Sequence, residues 1–234
     1  MPNEKFKVIY ENNDLLVIDK PAGMIVDNIP KRVHRLPSPL LGEEGVKVKM
    51  NHLVHRLDKD TSGVLIVAKN DKTLEFLQKQ FKERRVEKKY IALIVGHLKT
   101  QQGIIETLIG RSPKDRRKQR VFLPGEPDSQ GKREAVTKYK VSKLLKNFDL
   151  VEITPETGRK HQIRCHFAYL GHPIVGDEMY GFKNQIFPES LKRHFLHASY
   201  LKIKLPDGKE KEFQSDLPED LKKVFENLNE EKEE

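Results

Sequence analysis

The alternation of apolar and polar positions predicts a chain built mainly from short strands that come in adjacent pairs. Turn residues separate the members of three such pairs, at residues 6–20, 135–154 and 195–214. Apolar runs of strand length also occur at residues 63–68 and 90–95. Strands in adjacent pairs favour a mixed, mainly antiparallel sheet with flanking helices, which is an α+β fold, over a strict alternation of strands and helices.

Helical periodicity is found in three segments. These segments are residues 71–84, residues 158–170 and the tail after Pro218. Asp71 is the predicted N-cap of the first helix. Residues 27–52 carry prolines and glycines without periodicity, so we expect an irregular loop there. We therefore expect a single domain over residues 1–234, in which residues 216–234 form an acidic C-terminal helix or tail.

Composition excludes several classes of protein. No run of 18 apolar residues occurs in the 234-residue sequence, which excludes a transmembrane helix, and the first ten residues lack the apolar core of a secretory signal. Cys165 is the single cysteine, so an internal disulfide and a multi-cysteine metal site are both excluded. We expect a cytoplasmic protein.

Charge is distributed unevenly along the chain. The formal net charge is +9, although residues 216–234 contain eight acidic residues against three lysines. The remainder is therefore strongly basic, which favours a polyanion such as nucleic acid as the partner. The alternative is that a surface rich in lysine and glutamate keeps a heat-adapted protein soluble.

Residue types that are typical of active sites crowd into two segments, of which the first is residues 55–63. This segment places Asp58 directly before the buried strand predicted at residues 63–68. A carboxylate at the edge of a buried strand can be kept ionised in a cleft by a nearby arginine. The alternative is structural, with Asp58 or Asp60 capping a turn.

The second segment, residues 157–166, opens the predicted helix. His161 and Arg164 are three residues apart, so we expect them on one side of that helix. A guanidinium in the first turns of a helix is suited to a carboxylate or a phosphate, and a solvated basic face is the alternative. His161, Cys165 and His166 lack the spacing of metal ligands, because neither HExxH nor CxxC occurs, so we expect no metal.

Other catalytic motifs are absent from the sequence. Neither GxGxxG nor GxxxxGK[ST] occurs, which disfavours a nucleotide-dependent reaction. The GxSxG motif of the common serine hydrolases is also absent.

The two segments and three further stretches resemble motifs of the RluA-type pseudouridine synthases. The catalytic motif of that family resembles residues 55–70, HRLDKDTSGVLIVAKN. Its arginine-bearing motif resembles residues 155–181, PETGRKHQIRCHFAYLGHPIVGDEMYG. The other matches, in order, are to residues 15–24 (LLVIDKPAGM), 87–98 (EKKYIALIVGHL) and 196–198 (LHA). Together these matches span nearly the whole chain.

The resemblance implies the pseudouridine synthase fold with a central basic cleft. It also implies isomerisation of uridine to pseudouridine in structured RNA, either ribosomal or transfer RNA, without a cofactor or a metal. A monomer is the default state that the resemblance implies. By position, Asp58 matches the catalytic aspartate, Tyr90 the active-site tyrosine and Arg164 the arginine that pairs with the aspartate. Our candidates for substrate binding are His55, Arg56, Leu57, Thr61, Arg159, His161 and Leu196.

The sequence departs from the family in two respects. Many relatives carry an N-terminal S4 RNA-binding domain, and we expect none here because few residues precede the first predicted strand. Asp27 stands where many relatives have a histidine, and the loop at residues 27–52 cannot be aligned with the family.

The chemistry of the reaction is compatible with these residues. A carboxylate can attack the sugar or the base, or can stabilise a cationic or glycal-like sugar, and the sequence leaves these routes open. Tyr90 can stack on the base and assist removal of the proton from C5. The target uridine must leave its stack, and Arg56 or His55 is placed to fill the gap.

A basic run covers residues 111–120, between weaker strand candidates at residues 103–109 and 120–124. We expect a loop that grips the RNA backbone without reading bases, through Arg111, Arg116, Arg117 and Lys118. The alternative for the run is solvated surface charge. The alternative for the whole protein is a non-catalytic RNA-binding or RNA-folding protein of the same fold, against which the intact set of Asp58, Tyr90 and Arg164 argues.

Overall fold

The computed structural model describes residues 6–29, 52–185 and 187–230. Most of the loop predicted at residues 27–52 lies outside the described residues. The chain divides into two compact units, each of which combines two segments. Unit 1 comprises Met1–Lys88 and Ala198–Asp216, and unit 2 comprises Lys89–His197 and Leu217–Glu234.

The described residues form ten strands and three α-helices. The strands are β1 (Lys7–Glu11), β2 (Leu15–Lys20), β3 (Ser62–Ala68), β4 (Glu87–Val95), β5 (Gln102–Arg111), β6 (Gln119–Phe122), β7 (Arg133–Leu144), β8 (Phe148–Pro155), β9 (Leu196–Lys204) and β10 (Glu210–Gln214). The helices are α1 (Asp71–Lys82), α2 (Gln162–Tyr169) and α3 (Glu219–Glu230). The predicted α+β class with mainly antiparallel strands is confirmed.

In unit 1 the strands follow the order β1-β2-β3-β9-β10. The β1–β2, β2–β3 and β9–β10 pairs are antiparallel, and Lys20 at the end of β2 lies opposite Gly63 in β3. Both hairpins of this unit were predicted from their turn residues. The core between the strands and α1 includes Ile66, Leu77 and Phe213.

The N-cap of helix α1 lies one residue earlier than predicted. Asn70 is the N-cap, since its backbone is extended and its side chain accepts a hydrogen bond from the amide of Thr73 at 2.8 Å. Asp71 is the first helical residue, and its carboxylate instead contacts Nε2 of His52 at 2.9 Å. The prediction that Asp71 caps the helix was therefore wrong by one position.

In unit 2 the strands follow the order β4-β8-β7-β5-β6, and each neighbouring pair is antiparallel. Tyr90 in β4 lies opposite Ile153 in β8. Helix α3 buries Leu221 and Val224 in the core of this unit. The amphipathic helix predicted after Pro218 is confirmed.

Helix α2 is shorter than predicted. It begins at Gln162 rather than at residue 158, because His161 adopts a left-handed conformation with φ 54° that an α-helix cannot contain. The prediction that His161 and Arg164 share a helix face was therefore wrong, since His161 precedes the helix.

None of the helices in the described residues has both the length and the apolar character that a membrane span requires.

Candidate active-site residues

Asp58 lies on a tight turn of unit 1 immediately before β3. The amide of Thr61 donates to the carbonyl of Asp58 at 3.1 Å and closes the turn. Thr61 and Ser62 are buried, whereas Asp58 is partly exposed. The partly exposed carboxylate thus precedes the buried strand β3, which is the order that the sequence predicted.

A buried lysine braces this turn. The ammonium of Lys20 donates to the carbonyls of Pro21, Met24 and Lys59 at 2.9, 3.0 and 2.9 Å. Lys59 is the residue after Asp58, so the charged group ties the turn to the end of β2. Lys20 is fully buried, which is rare for a lysine unless its charge is paired. Its role was not predicted from the sequence.

Gly63 allows a second close approach behind the turn. A Cβ atom at this position would lie 2.1 Å from the carbonyl oxygen of Ala198, and the φ angle is +116°. Only glycine can combine this backbone angle with this contact. The motif that contains Asp58 is thereby packed tightly against β9, through Ala198 of the predicted LHA match.

The two neighbours of Asp58 proposed to fill a vacated base stack differ in their surroundings. Nε2 of His55 accepts a hydrogen bond from the amide of Ile66 at 3.1 Å, and its ring stacks on Phe81 with centroids 4.8 Å apart. Burial, assisted by the charge of Lys88, lowers the pKa of His55 to about 3, so the ring is neutral at physiological pH. The side chain of Arg56 is 70% exposed and reaches Asp27 at 3.3 Å.

Leu57 is buried in the same turn region, while Tyr90 and Leu196 lie in unit 2. Tyr90 is partly buried in β4 and packs against the core of that unit. Leu196, the first residue of β9, is buried in the same core. Its backbone carbonyl accepts a hydrogen bond from Arg193 at 3.4 Å.

Polar side chains build the sharp entry to α2. The Thr157 hydroxyl donates to Oε1 of Gln162 at 2.7 Å, and the same oxygen accepts from the amide of Arg159 at 2.9 Å. Nε2 of Gln162 donates to the carbonyl of Val136, and Nε of Arg159 donates to the carbonyl of Glu134. This network fixes where α2 begins, and therefore where Arg164 lies.

Arg164 forms a buried bidentate ion pair with Asp177. Nε and Nη2 of Arg164 donate to the two carboxylate oxygens at 2.7 and 2.8 Å. Burial is the largest single influence on the pKa of Asp177 and by itself would raise it. The hydrogen bonds and charge of Arg164, with smaller contributions from His194 and the amide of Tyr180, outweigh it and leave the pKa below its usual value. The two bonds use two of the five N–H groups of the guanidinium.

Tyr180 connects this ion pair to the rest of unit 2. Its hydroxyl lies 2.9 Å from Nδ1 of His161 and accepts a hydrogen bond from the amide of Gln119 at 2.7 Å. The guanidinium of Arg164 lies over its ring at 5.2 Å and the ammonium of Lys118 at 6.0 Å. His161 and Arg164 thus meet at one tyrosine ring, although they do not share a helix face.

The basic run forms the β5–β6 hairpin. Arg111 ends β5 opposite Gln119, and residues 112–118 form the connecting loop. Arg116 is exposed, and Arg117 is exposed while its guanidinium pairs with Asp115 at 2.9 and 3.1 Å. Hydrogen bonds from Arg117, with smaller effects of nearby charge, lower the pKa of Asp115 to about 2. The predicted loop location of the run is confirmed for residues 112–118.

Comparison with known proteins identifies the family. The sequence pattern of the RNA pseudouridylate synthases matches residues 14–169, which is more than half of the chain. The chain belongs to the RNA pseudouridylate synthase family. It is an RNA pseudouridine synthase, which is an isomerase, and the expected RluA-type membership is confirmed.

Relatives of this pseudouridine synthase cover most of its length. The uncharacterised RNA pseudouridine synthase YlyB of Bacillus subtilis is 39% identical, covering 94% of this chain and 72% of its own. Ribosomal large subunit pseudouridine synthase C of Rickettsia typhi is 41% identical, covering 90% of this chain and 68% of its own. The structure of human RNA pseudouridylate synthase domain containing 4 superimposes with a TM-score of 0.77 and 28% identity, covering 95% of this chain and 93% of that one.

Two further titratable residues of the synthase serve its packing. His166 is buried between the hydroxyls of Thr107 and Thr137, at 3.0 and 2.9 Å, and burial lowers its pKa to about 4. Burial raises the pKa of Cys165 to about 12, so its thiol is not a nucleophile at neutral pH. In the part of the chain that the structure describes, no three histidine, cysteine or acidic side chains group as metal ligands.

Proposed function

We propose that this pseudouridine synthase acts on RNA of the large ribosomal subunit, without a cofactor, and uses Asp58 as its reacting carboxylate. The observation that carries the proposal is the placement of Asp58 on a turn that Lys20 and the start of β3 hold in position. The class of RNA is supported by the names of relatives from Zymomonas mobilis and Rickettsia typhi, which are large-subunit synthases.

The reaction is an isomerisation in which no atom is gained or lost. The N1–C1′ bond breaks, the uracil turns, and C5 bonds to C1′. C5 then loses its proton and N1 gains one. Asp58 supplies negative charge where the sugar or base becomes electrophilic, either as a nucleophile or by stabilising a cationic or glycal-like sugar.

Tyr90 and Arg164 complete the proposed catalytic set. Tyr90 stacks on the turning base and assists removal of the C5 proton. Arg164 keeps Asp58 ionised and oriented. Its bidentate pair with Asp177 supports this role, because that pair fixes the plane of the guanidinium.

Arg56 is the better candidate to fill the stack that the flipped uridine leaves. The ring of His55 is engaged by the amide of Ile66 and by Phe81, whereas the pair that Arg56 forms within the described part of the chain is an exposed one with Asp27. Exposed pairs of this kind contribute about 0–1 kcal/mol, so releasing Arg56 costs little. The proposed backbone grip remains with Arg111, Arg116, Arg117 and Lys118.

The decisive experiment compares Asp58→Asn with Asp60→Asn, since both residues lie on the same turn. Release of tritium from C5 of labelled uridine in transcribed large-subunit RNA measures turnover. We expect Asp58→Asn to reduce turnover by at least about 10²–10⁴-fold while RNA affinity stays within severalfold, and Asp60→Asn to retain turnover. Near-normal turnover in Asp58→Asn would refute its catalytic role.

Two further measurements test the rest of the proposal. Pseudouridine mapping on transcribed large-subunit RNA and transfer RNA tests the substrate class, and modification of transfer RNA alone would overturn that part. Chelation by EDTA should leave the rate unchanged on an RNA whose fold is independent of magnesium. Inhibition that added zinc or magnesium reverses would contradict the metal-free reaction.

A further inference from the structure

The loop after Tyr180 exposes a large aromatic side chain to solvent. Phe182 is 54% exposed, and Lys183 beside it is also exposed. A phenylalanine left in water forgoes the stabilisation that burial of its ring would give, and a partner that covers the ring would recover it.

The backbone beneath Phe182 is held in one conformation. The amide of Gly181 donates to the carbonyl of Asp177 at 2.7 Å, and a Cβ at Gly181 would lie 2.5 Å from that oxygen. The amide of Phe182 donates to Oε1 of Gln185, and the amide of Gln185 donates to the carbonyl of Phe182, both at 3.2 Å. The exposed ring therefore stands on a braced turn.

That turn is anchored on the ion pair already described. Asp177 accepts from Arg164 through its side chain and from Gly181 through its backbone carbonyl. Tyr180, which directly precedes Gly181, contacts Arg164 and lies beneath the Lys118 ammonium. Phe182 is thus tied through the backbone to the residue that pairs with Arg164, and Lys183 follows it directly in the chain.

We propose that the ring of Phe182 stacks on an unpaired nucleobase of the substrate RNA next to the target uridine, while Lys183 contacts the adjoining phosphate. This inference rests on the proposed function for the identity of the substrate. A planar exposed ring with neighbouring cations is how proteins hold unpaired bases, since every base has a face that stacks. Flipping the target uridine leaves neighbouring bases exposed to such a contact.

The chain contains no tryptophan, so Phe182→Trp introduces a single fluorophore at the proposed contact. An oligouridylate of about 12 nucleotides should quench this fluorophore, and a duplex RNA of the same length should not. Tyr169→Trp is the matched control, because Tyr169 is 50% exposed at the end of α2 and has no lysine or arginine beside it. We expect its fluorescence to be unchanged by either RNA.

Affinity separates stacking from general apolar contact. Phe182→Ala and Phe182→Leu should both weaken binding of the oligouridylate by about 5- to 160-fold, because leucine is apolar but not planar, while Phe182→Trp retains affinity. Because the ring is exposed, all three variants should melt at the wild-type temperature.

Two results would overturn the inference. The first is an unquenched Phe182→Trp variant on an RNA that a filter assay shows to be bound. The second is a fall in sedimentation coefficient for Phe182→Ala with no loss of RNA affinity, which would mean that a second copy of the chain covers the ring. Quenching by RNA in an enzyme that modifies no RNA would refute the proposed function and leave this contact standing.

Discussion

The close approach at Gly63 makes a quantitative prediction about Gly63→Ala. The new methyl group would lie 2.1 Å from the carbonyl oxygen of Ala198, and the φ angle of +116° is one that alanine disfavours. The clashing atom belongs to a backbone rather than to a flexible side chain, so β3 and β9 must separate. The variant is therefore expected to lose both stability and the position of the turn that carries Asp58.

The magnitude can be divided into two parts with a matched control. Gly125 also has a positive φ of +82°, and a Cβ there would meet nothing within 4 Å. Gly125→Ala should lose only the backbone term, about 1–2 kcal/mol. Gly63→Ala adds overpacking of about 1–3 kcal/mol, so we expect a loss of about 2–5 kcal/mol in the free energy of unfolding.

Urea denaturation of both variants and tritium release from RNA provide the test. Gly63→Ala should unfold at markedly lower urea than Gly125→Ala and should turn over more slowly at saturating RNA. Equal midpoints for the two variants would show that the approach of Ala198 to Gly63 does not constrain the strand pair, and the reasoning would then fail.

Three further predictions concern single side chains. Lys20→Met leaves three carbonyls, one buried and two partly buried, without their shared donor, so the free energy of unfolding should fall by about 3 kcal/mol in urea denaturation, and an unchanged midpoint would contradict the bracing role. His166 has a folded pKa of about 4, below the unfolded value of 6.5, so its contribution to stability is present above pH 6.5 and is lost as the pH falls toward 4. His166→Gln should therefore reduce the slope of the free energy of unfolding against pH by about 1.4 kcal/mol per pH unit, and urea titrations of the variant that show the wild-type slope would contradict this role of His166. Asp115→Asn releases the guanidinium of Arg117 for phosphate, so RNA binding should tighten severalfold and its dependence on log salt should steepen by about 1, whereas weaker binding would mean that Asp115 chiefly shapes the loop.

Elements that depend on neighbours in sequence were predictable. The hairpin at residues 195–214 was predicted because turn residues interrupt alternating strands, and the structure forms β9 and β10 on either side of them. Helix α3 followed from an apolar stripe with a period of 3.6 residues. In both cases the deciding interactions lie within a few residues of each other.

The predicted starts of helices α1 and α2 were wrong because each depends on contacts with residues distant in sequence. Asn70 and Asp71 can both cap a helix, and the choice depends on His52, which holds the carboxylate of Asp71. Helix α2 begins later than predicted because His161 takes a left-handed conformation. In that conformation its ring contacts the hydroxyl of Tyr180. Neither partner is adjacent in sequence.

Buried polar residues were the main omission. Lys20 ends a strand that begins with four apolar residues and lies just before Pro21, and this position is the signal that could have identified it. Asp177 and Tyr180 fall inside the stretch quoted for the resemblance, yet their roles appear only once α2 and the β5–β6 hairpin converge on them. The sequence left a carboxylate or a phosphate open as the partner of Arg164, and the structure pairs it with Asp177. Its pairing with Asp58 stays a prediction.

The contact between Gly63 and Ala198 also sets an order for folding during synthesis. The two residues belong to one unit but lie in different chain segments, which are separated in sequence by Lys89–His197. At about 5–20 residues per second, the ribosome needs on the order of 10 seconds to reach Ala198 after Gly63. Throughout that interval β3 cannot pack against β9, because β9 has not yet been translated, whereas residues 89–197 of unit 2 are being synthesised.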